Sequence, residues 1–146
     1  MIFIKKTSKD DWRDSNNNEV VYFNWARWQP SMDRSSVWID SGGYWWSGEK
    51  ETLGDIFCVQ QLSGPVKNVC TLKNAKYSFI GKKYYCGANI GTFSPEDGEK
   101  NCRIWDSKLP LPKNMEENKE ITNFVSTFGK IKHIYLDATD STKSGF

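Results

Sequence analysis

The sequence predicts an α+β fold, and three observations carry that expectation. Short β-branched and aromatic runs outnumber helical patterns, the helical patterns sit together, and the order is not a βαβ repeat. At 146 residues, the chain is long enough for one domain with a single core.

Residues 7–18 (TSKDDWRDSNNN) are polar and turn-rich, and predict a loop. Val20–Trp25 (VVYFNW) predicts a strand, followed by the loop ARWQPSMDRSS. SVWIDSGGYWW predicts a hairpin about an Asp-Ser-Gly-Gly turn. DIFCVQQL predicts a strand with Ile56, Cys58 and Gln60 on one side and Phe57 and Val59 on the other. Ser63-Gly64-Pro65 breaks it and is the best linker candidate. KYSFIGKKYYCG predicts a second hairpin through Gly81.

Two helices are expected next. Ser94 with Asp97 resembles a capping box before EKNCRIW, and Asn114 with Glu117 does the same after Pro110 and Pro112. In the second helix Ile121, Phe124, Val125 and Phe128 form one apolar face, with Gly129 as the stop. IKHIYLDATD predicts the last strand.

Twenty basic and eighteen acidic residues give a net charge of +2 with interspersed signs. There is no basic stripe, which argues against nucleic acid or an anionic membrane as partner. No stretch approaches a membrane span. Cys58, Cys70, Cys86 and Cys102 lack zinc-site spacing. An even, widely spaced set fits two disulfides in an oxidising, secreted or extracellular setting; free cytosolic thiols are the alternative. Met1 leads into IFIKK, too short an apolar run for a signal peptide. The expectation is therefore a secreted protein without its leader. Seven Trp, eight Phe and six Tyr supply core, with some left as stacking platforms.

Enzyme chemistry finds little support. His133 is the single histidine and is expected to be structural, with no nucleophile–base pair in view. Glu116 and Glu117 are adjacent on a helix and do not converge. The DDWRD run is expected to be a solvated, flexible loop. GANIG lacks the Lys of a phosphate loop.

From Cys70 onward the chain resembles the first half of a C-type lectin-like domain: CTLKNAKYSFIGKKYYC, a helix bearing Cys102, LPLPK, and a helix beginning NMEENKEI, with IYLDATD at the family's core strand. Residues 1–62 resemble the second half, through FNW, WARWQPS, SVWIDSGGYWW and IFCVQQ. The halves stand in permuted order: joining Phe146 to Met1 restores the family's, with 63–65 bridging the old ends and 66–146 forming the N-terminal half. A single permuted domain over 1–146 is the expectation, with two helices, small antiparallel sheets and a long loop region. An engineered permutant, made as a scaffold with no retained ligand, is one account of that order. A natural tandem array cut mid-domain is another.

The resemblance implies the disulfides Cys58–Cys102 and Cys70–Cys86. The family's further long-loop bridge would fall on Ser36 and Lys50, and is absent. Sugar-binding members use a calcium ion, which takes six to eight oxygen ligands. Gln29 with Pro30 matches the first ligand and the family's cis-proline. The next ligand falls on Ser31, the loop Glu near Arg34, and the Asn and Asp after the hairpin Trp on Trp46 and Ser47. Asp33 or Asp40 could help, but so few carboxylates hold a hard dication poorly. The expectation is a binding domain that recognises glycan or protein through its long-loop surface, without calcium or another cofactor and without enzymatic activity. A calcium-dependent lectin with an atypical site is the alternative. The candidate ligand-binding residues are Trp28, Gln29, Ser31, Arg34, Trp46 and Ser47, with Trp38 and Trp45 expected in the core.

Overall fold

The computed structural model describes residues 11–31, 34–62, 69–129 and 133–141. The linker read at 63–65, the loop residue Asp33 and the start of the 7–18 loop lie outside them.

The strands are β1 (Trp12–Arg13), β2 (Ser36–Ile39), β3 (Trp45–Gly48), β4 (Gly54–Gln61), β5 (Lys76–Ile80), β6 (Lys83–Phe93) and β7 (Ile134–Asp140). The helices are α1 (Pro95–Ile104) and α2 (Met115–Ser126). Instead of the expected small antiparallel sheets, the strands join one mixed sheet in the order β3-β2-β7-β4-β6-β5, with β1 paired to β7. Its pairs are antiparallel except β4 with β7, which meet in parallel at Asp55 and Ile134. That contact fuses what would otherwise be two separate ribbons.

β4 explains why the fold has two apolar layers. Alternate side chains of a strand point to opposite faces. Phe57 joins a cluster with Trp45, Ile121, Phe124 and Val125 beneath α2. Ile56 and Cys58 join another with Ala88, Cys102, Leu109 and Tyr135 beneath α1. Gln60 follows Ile56 and Cys58 in phase and is also buried.

Both helices start where local chemistry starts them. Ser94 accepts from the Asp97 amide at 3.3 Å, and Pro95 opens α1. Asn114 accepts from the Glu117 amide at 2.8 Å, while Glu117 Oε1 accepts from Lys113 N at 2.9 Å. Disulfides join Cys58 to Cys102 and Cys70 to Cys86, the pairs that the resemblance implies.

Three expectations need correction. Val20–Trp25 is not a strand: its backbone is tied to the sheet only at a few points, Val20 N to Trp12 O and the Asn24–Ala26 stretch to Trp45. Its side chains instead ring the buried indole of Trp45, with Tyr22, Phe23 and Trp25 at 5.7, 5.9 and 6.1 Å. The composition that suggested a ladder reports burial. Trp12–Arg13, inside the expected DDWRD loop, forms β1 because Trp12 is drawn into the core. Finally, Trp38 is half-buried opposite Trp46 and packs against the edge of the second cluster, not within it.

Candidate functional site

The candidate residues divide between two places. Gln29, Ser31 and Ser47 come together around the cis peptide Gln29–Pro30. Gln29 Oε1 accepts from Ser47 N at 3.0 Å and from Ser47 Oγ at 2.7 Å, and Ser47 Oγ accepts from Ser31 N at 2.7 Å. These oxygens are thus engaged with one another, and Ser47 is buried. Beside them Trp28 stands in solvent, 84% exposed, with positive φ and the Arg27 guanidinium 5.5 Å from its ring centre. Arg34 is half-buried.

Trp46 follows a different direction. On β3 it alternates with Trp45 and Ser47, so it faces away from both. Its ring lies parallel to Trp38, its register partner on β2, with centroids 5.6 Å apart and planes 10° apart. His133 extends the row, its ring 3.8 Å from Trp38 at 28°. Trp46 Nε1 donates to Asp40 Oδ2 at 2.8 Å, while Asp40 Oδ1 accepts from Gly42 N and Tyr44 N, each at 2.9 Å. The turn thereby uses most of the Asp40 carboxylate.

This row opens onto a cleft of about 520 Å³, between the hairpin turn and the C-terminal half of α2. Ile39, Val125 and Ile134 line its depth, and Thr122 and Ser126 face it from the helix. Sequence reasoning passed over Trp38 and His133, assigning one to the core and the other to a structural role. The available signal was hairpin symmetry: about a turn centred on Gly42, residues 38 and 46 must oppose each other. His133 joins only through the tertiary position of β7.

A second cleft, of about 530 Å³, is polar and includes Gln60, Lys83, Lys108, Lys113, Glu117 and Asp137 in its wall. Asp137 is buried, and its carboxylate accepts from Ser15 N at 3.0 Å and Ser15 Oγ at 2.9 Å. Burial pushes its pKa up to about 6, reinforced by Asp14 and Glu99 and opposed by the Ser15 bonds.

Among the described residues, no group of three or more His, Cys, Asp or Glu side chains is placed to hold a metal ion. Nor is any helix there long and apolar enough to cross a membrane. No protein-family model, no curated protein and no solved structure matches the chain.

Proposed function

We propose that the chain is an extracellular, lectin-like binding domain in permuted order that recognises glycan or protein ligands through its long-loop surface, without calcium and without catalysis. The observation that carries this reading is that Gln29 Oε1 and Ser47 Oγ are already bonded to each other, with the Ser31 amide donating to Ser47 Oγ. A calcium site needs several free oxygens, preferably carboxylates. Here the amide oxygen already takes two donors, Ser47 Oγ is bonded to Gln29 Oε1 and to the Ser31 amide, and three donors already occupy most of the Asp40 carboxylate. These residues do not fit a calcium ion, so recognition falls to side chains. Trp28 offers an exposed aromatic face beside the cis-proline, of the kind that anchors sugar or protein partners. The two disulfides suit an oxidising compartment.

Isothermal titration with calcium, alone and with mannose or galactose, tests the metal half. No heat is expected, and calcium binding coupled to sugar would overturn it. Glycan and extracellular-protein arrays probed in chelator test the other half. Binding that falls on Trp28→Ala is expected, and silence on every array would remove the binding function.

A further inference from the structure

The cleft beside Trp46, Trp38 and His133 has a chemistry of its own. Full overlap of parallel rings would bring them to about 3.5–4.0 Å. At 5.6 Å, Trp38 and Trp46 overlap only in part; His133, 3.8 Å away, stacks on Trp38, so the flat carbon surface left uncovered belongs to Trp46, at the end of the row. Three of the polar groups around it, on Trp46, Thr122 and Ser126, share one property: their hydrogens are spent. Trp46 Nε1 donates to Asp40 Oδ2. Thr122 Oγ1 donates to Asn118 O at 2.7 Å, and Ser126 Oγ donates to Asn123 O at 2.7 Å. What these hydroxyls still offer is lone pairs, and Asp40 Oδ2 takes one donor, Trp46 Nε1, against room for about two.

The complement of such a site is a ligand with an apolar face and outward-pointing hydroxyl donors. A hexopyranose has both: axial C–H bonds form a face that lies on an aromatic plane, and equatorial hydroxyls point sideways to acceptors. The volume, about 520 Å³, suits a ligand of one or two rings. A quaternary ammonium, the other frequent partner of aromatic clusters, is enclosed by rings whose faces converge on it. Here the planes lie within 10° and 28° of parallel along the row, which makes a slab and not a cage.

We infer that this cleft is a metal-independent pyranose site, with Trp46, backed by Trp38, as the stacking floor and Asp40, Thr122 and Ser126 as hydroxyl acceptors. The inference rests on the binding-domain reading but places a sugar away from the Gln29–Ser47 surface.

The test is a titration of the whole, disulfide-intact protein in chelator with methyl β-glucopyranoside and methyl β-galactopyranoside. It is followed through the indole N–H resonances by NMR, with Trp46→Phe assigning one of them. Saturable shifts of the Trp46 and Trp38 signals are expected, with a dissociation constant on the order of 1 mM for a single ring. Thr122→Val and Ser126→Ala should each weaken binding by about three- to tenfold, the loss of one neutral hydrogen bond. Both positions lie on the helix, away from Gln29, and an unchanged amide spectrum elsewhere reports an intact fold. No shift with either pyranoside, saturation by tetramethylammonium alone, or shifts indifferent to both helix variants would each overturn the site. If an array ligand binds and is lost on Trp28→Ala but not on Thr122→Val, the cleft is wrong while the binding domain stands.

Discussion

The indole Nε1 of Trp45 donates to Asn118 Oδ1 at 2.7 Å, and both residues are buried. The same amide donates through Nδ2 to Gly43 O at 2.8 Å, so one side chain of α2 holds both the hairpin's core tryptophan and its turn. Asn118→Ala would leave a buried N–H without a partner and remove a donor from Gly43 O. Gly43 O keeps the Asn24 amide as a donor, so the expected loss is that of one orphaned buried N–H, about 1–3 kcal/mol. Chemical denaturation would show this as a lower midpoint with unchanged slope; an unchanged midpoint would mean that water replaces the amide.

Asp137 makes stability depend on pH in a predictable direction. Its folded pKa, about 6, stands above the ordinary aspartate value of 3.8 because the carboxyl is buried. The folded state therefore holds the proton over a range in which the unfolded chain releases it. The contribution is fully present below about pH 4 and is lost as pH rises through 6, a change of no more than about 3 kcal/mol. Asp137→Asn keeps an oxygen for Ser15 N and offers its N–H to Ser15 Oγ. The stability difference between the two proteins should shift in favour of the variant across that window. A pH-independent difference would contradict the burial argument.

Gly98 lies where α1 touches β4, and a Cβ there would collide with the side chain of Ile56. Alanine favours a helix by about 1 kcal/mol over glycine, yet Gly98→Ala should destabilise by about 1–3 kcal/mol through overpacking. Adding Ile56→Val should recover part of the loss. A double-mutant cycle with no coupling would show that the helix simply moves away.

The disulfides should differ in worth. Cys58–Cys102 spans 44 positions and Cys70–Cys86 spans 16. Loop entropy gives about 4 and about 3 kcal/mol respectively. Cys58 and Cys102 are also fully buried, whereas Cys70 is half-buried. Replacing the first pair by alanine should therefore lower the melting temperature more than replacing the second. The reverse order, measured by calorimetry, would show that the hairpin bridge dominates.

Local features of the fold could be read from the chain, and non-local ones could not. The caps at Ser94 and Asn114 are complete within four residues, so the sequence displays both partners at once. The hairpins at Gly81 and Gly42–Gly43 are legible for the same reason. The parallel contact of β4 with β7 joins residues 55 and 134, and no local pattern announces it. Val20–Trp25 misled because aromatic residues serve a cluster about Trp45 as readily as a ladder. At the site, Gln29 and Ser47 could be named through the resemblance, but their mutual bonding could not. The Trp46–Trp38–His133 row needed the sheet to exist first.

The sheet order has one more consequence. β2, β3 and β4 come from residues before 62, β5, β6 and β7 from residues after 75, and the two groups interleave, with β7 seated between β2 and β4. Neither group can close the sheet by itself. Expressed as two separate polypeptides, 1–62 and 69–146 would each expose unpaired strand edges that only the other can fill, the requirement for a split protein that reports on proximity. Cys58 lies on one polypeptide and Cys102 on the other. Reassembly in an oxidising compartment would thus be written permanently into a covalent bond, and reductant would erase it.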